Sequence, residues 1–259
     1  MTTPKDVPVP LYHRVYVVLR QQLAEGTWDT GLAMPSEHEL ARSFNVSRIT
    51  IRRALDRLQA EGLISRRRGS GTFAEADADQ PQIRHDLTEL FADLVAMGLK
   101  TPVTVLDFAY LPAPPKIATA LETPRGTMVQ KSVRVRHYKD RPFSHLTAWV
   151  PEEVGRGFER ADLTRRPLLR LLEDAGCVIA RAEQAISAKL ANDAVAAALD
   201  VPVGSALLYV RRQVRDQHGR VVEYLQALYQ PDLYEYQMGM RWVQRSGRSM
   251  WSTESDAAD

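Results

Sequence analysis

The sequence predicts an α+β protein in two parts: a small helical N-terminal domain carrying a two-stranded hairpin, and a larger domain on a mostly antiparallel sheet. Three observations predict it. Up to Leu58 the apolar residues recur at three- and four-residue intervals, the helical period, and then two short strands flank a glycine-rich tip. Further on, strand-like alternation takes over, as in Val103, Val105 and Phe108. Third, Ala118, Leu121, Pro124, Gly126 and Arg134 recur 78 residues later as Ala196, Leu199, Pro202, Gly204 and Arg212. One long unit present twice marks pseudo-symmetric halves of one sheet rather than a solenoid.

In chain order, Leu11, Val15, Val18, Leu19, Leu23 and Ala24 outline an amphipathic helix that stops near Gly26. Ser36 can cap a second helix, and Glu39 stands three residues on, the spacing of a capping box. Leu40 and Ala41 face inward and Phe44 closes the helix. Asn45 is suited to the turn, because asparagine tolerates a left-handed backbone almost as well as glycine. Ser47 caps the third helix, whose buried stripe is Ile51, Leu55 and Leu58. Its other face offers Arg48, Thr50 and Arg52, with Arg53 and Arg57 along the flank.

After Gly62, Leu63-Ile64-Ser65 reads as a strand, Arg66-Arg67-Arg68 leads into Gly69-Ser70-Gly71, and Thr72-Phe73 returns. Helix, turn, helix and hairpin in this order form a winged helix-turn-helix. An arginine near a helix N-terminus can fork onto guanine in the major groove. Wing arginines neutralise phosphates, and glycines let backbone come close to DNA. Any one of these arginines reads equally well as a solvated helix face; the ordered set of caps, turn and basic hairpin carries the reading.

Charge supports it. Residues 1–73 hold eleven Lys and Arg against seven Asp and Glu, while the remainder is slightly acidic, since the whole chain has 34 against 32. A polyanion partner suits the first domain only. With one cysteine, Cys177, no internal disulfide forms, and a small buried hydrophobe is expected there. No apolar run spans a bilayer and no signal peptide is evident, so a cytoplasmic location with no membrane partner is expected.

Residues 11–73 resemble the winged-helix head of the GntR family of bacterial transcription regulators. The resemblance rests on Met34-Pro35-Ser36-Glu37, Glu39-Leu40-Ala41, Val46-Ser47-Arg48, Thr50, Arg52-Arg53-Ala54-Leu55, Glu61-Gly62-Leu63-Ile64 and Gly69-Ser70-Gly71-Thr72-Phe73. It implies DNA contacts from His38, Ser47, Arg48, Thr50, Arg52 and Gly69, with Arg68 on the wing. The family more often has arginine where His38 stands, so a changed base or phosphate contact is expected there.

Residues 74–83 are small, acidic and poor in large apolar side chains, and read as a linker. A domain over residues 84–242 follows. It begins with a helix at Leu87–Met97, and the two copies of the repeat are separated by a helix at Pro167–Ala175 and a strand at Cys177–Leu190. Each copy reads as short helix, Pro-x-Gly turn, strand, hairpin turn, strand. The second copy carries one extra residue, so Arg141 recurs as Arg220. The helices are expected on one side of the sheet. Residues 243–259 are expected to be a disordered tail.

Residues two apart on a strand share a face, so Arg134 and Arg136 point the same way and suit an anion. Glu223 and Tyr229 can face the same space. Residues 84–242 resemble the UTRA effector-binding domain, which implies a chorismate-lyase-like fold and membership of the HutC subfamily. In sugar-phosphate-responsive members the ligand groups match Arg134, Arg136, Glu223 and Tyr229. Here Leu146, Pro167 and Leu169 replace polar residues of that pocket, and His145 is expected to line it too.

The resemblance implies a ligand-responsive repressor acting as a homodimer on a double-stranded operator, with a small anionic effector and no cofactor. Two other classes compete: a lyase-like enzyme tethered to DNA, and a structural DNA-binding protein with a vestigial pocket. No metal-ligand spacing, nucleophile elbow or phosphate loop supports an enzyme.

The apolar replacements favour a flat organic carboxylate over a sugar phosphate. Isothermal titration is expected to show binding of an aromatic acid and none of a sugar phosphate; tight sugar-phosphate binding would sink this expectation.

Overall fold

The computed structural model describes residues 10–28, 32–67, 70–75, 83–86, 101–237, 240–245 and 248–253. Arg68, Gly69 and the helix expected at Leu87–Met97 lie outside the described residues. The chain divides into two compact units, Met1–Gln80 and Pro81–Asp259. Among the described residues no helix is long and apolar enough to cross a membrane.

Among the described residues the first unit holds α1 (Leu11–Ala24), α2 (Glu37–Ser43), α3 (Arg48–Ala60) and the antiparallel pair β1 (Ile64–Arg67) and β2 (Gly71–Ala74). The capping box at α2 is complete. Glu39 N–H donates to Ser36 Oγ at 3.3 Å, and Ser36 N–H donates back to Glu39 Oε2 at 2.7 Å. Asn45 makes the turn at φ 50° and Gly62 ends the α3 segment at φ 75°.

Ile51, Ala54, Leu55 and Leu58 of α3 are fully buried, against Leu40, Ala41, Val15 and Leu19. Each isoleucine, leucine or valine among them contributes about 1.5–3 kcal/mol on burial. The inward face of α1 differs from expectation. Leu11 and Val18 are exposed, and Tyr16 is buried in their place. Tyr16 can turn inward because its hydroxyl donates to Glu61 at 2.9 Å, and Arg57 covers its ring at 4.1 Å. Burial, then that bond to Glu61, pushes its phenol up to about 12.

The second unit is α+β. Its sheet strands are β4 (Val103–Pro112), β5 (Met128–Tyr138), β6 (Arg141–Pro151), β7 (Ile179–Leu190), β8 (Ala206–Asp216) and β9 (Val221–Tyr229). They lie antiparallel in the order β4-β5-β6-β9-β8-β7. Before it in sequence, β3 (Ile83–Asp86) pairs in parallel with β10 (Tyr234–Gln237). Among the described residues its helices are α4 (Pro115–Leu121), α5 (Glu152–Gly155), α6 (Asp162–Arg165), α7 (Leu168–Asp174) and α8 (Asp193–Leu199).

The duplicated sequence is thus two copies of strand, helix, hairpin, joined where β6 meets β9. Equivalent positions adopt equivalent backbone: Glu122 and Asp200 at φ 54° and 53°, Gly126 and Gly204 at 81° and 82°. The copies part at the hairpin. Lys139 and Asp140 form a two-residue turn with both φ positive. In the second copy Asp216 Oδ1 accepts from His218 and Arg220 N–H, and Gly219 takes the left-handed backbone. That longer loop absorbs the extra residue.

The helices cover both faces of the sheet, not one. Leu168, Leu169, Leu171 and Leu172 of α7 pack on Leu146, Ala148, Val210 and Ala227. On the opposite face, α4 packs on Val129 and Trp149, and α8 on Leu207 and Leu228. Both faces of the central strands carry apolar residues, so each needs a cover. Cys177 is buried within the first of these layers. Close packing at the end of β6 requires Gly155, since a Cβ there would meet Gln130 Cβ at 2.8 Å.

The disordered tail expected from residue 243 is replaced up to Thr253 by a hairpin of β11 (Met240–Arg245) and β12 (Arg248–Thr253). Trp242 faces Trp251 across it, ring centroids 5.2 Å apart. A cross-strand aromatic pair of this kind stabilises two strands that are otherwise rich in polar residues.

Asn45 sits where side-chain-bearing residues strain. Asn45→Val is expected to destabilise the head by about 1–2 kcal/mol, and Asn45→Gly to leave it unharmed. Hydrogen exchange across α3 checks this, with faster exchange expected in the valine variant alone.

Candidate functional site

Two groups of side chains stand apart from the packing. The first surrounds the N-terminus of α3. Ser47 caps that helix: Thr50 N–H donates to its Oγ at 3.2 Å, and the two hydroxyls lie 2.8 Å apart. With the start of the helix so held, Arg48 lies 4.0 Å from Glu37 Oε2 and keeps 65% of its side chain exposed. Arg52 forks onto Glu37 of α2 at 3.2 and 2.9 Å. The hydrogen bond from Arg52 holds the Glu37 carboxyl below its ordinary range. His38 Nε2 lies 2.8 Å from Arg42 Nη2, both exposed.

Two residues depart from the sequence reading. Arg57 turns inward to Tyr16 and Glu61 rather than flanking the exposed face. Ile49, not singled out from sequence, is 68% exposed between Arg48 and Thr50. A signal was available, since Ile49 falls outside the stripe of Ile51, Leu55 and Leu58. Arg66 is held by Asp56 at 2.8 Å and by the Arg52 carbonyl. It ties the first wing strand to α3.

The second group is a cavity of about 40 Å³ between the sheet and the start of α7. Arg134 and Arg136 reach it from β5, Leu146 from β6, Arg212 from β8, and Glu223, Leu225 and Tyr229 from β9. Pro167, Leu168 and Leu169 close it. The registers Arg134↔Leu146, Leu146↔Ala227 and Arg212↔Leu225 put these residues on one face of the sheet.

His145 does not join them. It alternates with Leu146 and pairs with Val135, so its side chain lies on the opposite face. The parity that groups Arg134 with Arg136 already separates it from Leu146. Arg212 was not expected in this site. Its signal was the duplication itself, which makes it the counterpart of Arg134.

The polar groups are deeply buried, with Arg134 2%, Arg212 6% and Glu223 1% exposed. Arg136 donates to Thr101 Oγ1 at 3.1 Å. Burial pushes Arg136 down to about 10 and Arg134 in the same direction. Guanidinium is so strong a base that both remain cationic near neutrality. Burial raises the Tyr229 phenol, whose ring stacks on Tyr234 at 3.9 Å. The lining therefore combines guanidiniums with aliphatic side chains, fit to hold an anion with an apolar body. Among the described residues no cluster of three or more His, Cys, Asp or Glu could hold a metal ion.

Residues 96–235 match the UTRA domain, and residues 11–74 match the bacterial regulatory proteins of the gntR family. The UTRA match alone spans more than half the chain. The chain belongs to the gntR family of bacterial regulatory proteins. Its UTRA domain and its relatives place it in the HutC-type branch.

It is 26% identical to the transcriptional repressor NagR of Bacillus subtilis, over 91% of this chain and 97% of that one. It is 31% identical to the histidine utilization repressor of Pseudomonas aeruginosa, over 83% and 85%. Among solved structures, the ligand-binding domain of a GntR-family regulator from Bordetella bronchiseptica is 30% identical with a TM-score of 0.52. That match covers 54% of this chain and 91% of that one. These relatives regulate transcription and are not enzymes, which sets the tethered-lyase reading aside.

In this GntR regulator, Glu223 is the carboxylate in the lining shared with the buried guanidiniums of the cavity, and its charge opposes the lowering that burial imposes on Arg134. Glu223→Gln is expected to lower the stability of the ligand-free protein by about 1–3 kcal/mol, because buried positive charge is left uncompensated. A thermal melt would check this; an unchanged transition would contradict it.

Proposed function

We propose that the protein is a transcription repressor that binds its operator as a cytoplasmic homodimer and leaves it when a small anionic metabolite enters the arginine-lined cavity. The observation that carries this is one chain joining an exposed basic recognition helix to a buried cationic cavity in a separate compact unit. In this reading residues 1–73 bind DNA, 74–83 link, and 84–242 sense.

On DNA, Arg48 forks onto a guanine and Ile49 touches a thymine methyl. Ser47, Thr50 and His38 meet phosphates or base edges, and Arg52 exchanges Glu37 for DNA. Arg68 and Gly69 serve the wing. Two heads reading a two-fold operator need two copies. The edge strand β7 suits their pairing: it is exposed along most of its length, with Ile186 and Leu190 presenting apolar surface.

In the sensing domain, Arg134 and Arg136 hold the anionic end, Glu223 and Tyr229 orient it, and Leu146 and Leu169 contact the apolar body. A relative named for histidine utilization adds imidazole-bearing carboxylates to the candidates. The cavity has room for only a few waters. A metabolite therefore enters by moving the Pro167–Leu169 segment outward. Ligand can couple to DNA only if it binds the released arrangement more tightly than the DNA-bound one.

Arg48→Ala is expected to weaken operator binding by about 1–3 kcal/mol and relax base choice at one position. Gel shifts on the operator and on a scrambled duplex read both effects; unchanged affinity and selectivity would remove Arg48 from the contact set.

A further inference from the structure

Two buried guanidiniums in this protein make no side-chain hydrogen bond among the described residues. They belong to Arg134 and Arg212, and the Nε of each is buried without a partner. Neither is a surface cation folded back for convenience, since both are more than nine-tenths buried. Burying a guanidinium without an acceptor is costly, and Glu223, the carboxylate in the same lining, leaves its Oε2 unpartnered as well.

The two arginines are counterparts in the duplication. One stands on β5 and the other on β8, on either side of the central β6–β9 pair, both on the cavity face. They thus reach the cavity from opposite sides. Each fork matches one set of anionic oxygens.

We infer that Arg212 is a second ligand-binding fork facing Arg134, and that the ligand presents anionic oxygens on two sides. A phosphoryl or phosphonyl group, or two carboxylates on one small body, has that chemistry. The aliphatic wall of Leu146, Leu169 and Leu225 takes the rest of the molecule. This rests on the reading of the cavity as an anion site. It goes beyond that reading in the role of Arg212 and in the ligand's second anionic face.

Calorimetric titration of the full chain with benzoate, phthalate and phenyl phosphate tests it, because the three share a ring and differ in their oxygens. The wild-type protein is expected to bind at least one of phthalate and phenyl phosphate about tenfold or more tighter than benzoate. Whichever is tighter distinguishes two carboxylates from a phosphoryl group. Arg212→Gln is expected to abolish that preference while benzoate affinity changes little.

Arg212→Gln also removes a buried, unpaired charge, so the ligand-free variant is expected to melt no lower than wild type. A merely structural arginine would give the opposite shift, and a lower melting temperature overturns the inference. Wild-type binding of all three probes with equal affinity, or a preference that survives Arg212→Gln, overturns the role of Arg212 and leaves the anion site standing. Failure of all three probes to bind the wild-type protein overturns the anion site itself, and the inference with it.

Discussion

Burying cationic groups in a sheet that has an apolar layer on each face is the constraint around which the second domain is arranged. Arg134, Arg136 and Arg212 share the face that α7 covers, and Glu223 is the carboxylate set among them. Such charges cost free energy that the packing around them has to offset. The packing is supplied by Leu146, Ala148, Val210 and Ala227 beneath α7, and by α4 and α8 on the other face. The cavity opens where the leucines of α7 give way to guanidiniums.

The duplication explains how such a site arises. Each half brings a strand, a helix and a hairpin, and the two halves join along their last strands. A polar residue at one position of the unit is then presented from both sides of the seam, as Arg134 and Arg212 are. Leu146 and Leu225 are counterparts too, paired with Arg134 and Arg212, and asymmetry enters through Glu223, whose counterpart on the first hairpin is Ser144. The head solves a simpler problem. Its caps at Ser36 and Ser47 hold two short helices, and Glu37 pairs closely with Arg52 and at 4.0 Å with the largely exposed Arg48.

Much of this was legible in the chain. Both helix caps, the left-handed turn at Asn45, and the pairing of Arg134 with Arg136 follow from local spacing. What escaped is equally specific. Tyr16 replaced Val18 in the core because Glu61 and Arg57, distant in sequence, satisfy its hydroxyl and ring. The final strand pair brings Trp242 against Trp251, a contact invisible until the register of β11 and β12 is known. His145 was grouped with the cavity by its chemistry, although its strand parity places it on the other face.

By itself, the sequence determined the order of elements, the helix-turn-helix with its caps, and the existence of two equivalent halves. These are encoded within a few residues of each other, in periodicity and in positions that tolerate a left-handed backbone. Only the tertiary structure decided that helices cover both faces of the sheet and that Arg212 joins Arg134, Arg136, Glu223 and Tyr229 in one cavity. Parity along a strand is local, but which face meets which depends on the register between β6 and β9. That register is set by the packing of both halves together.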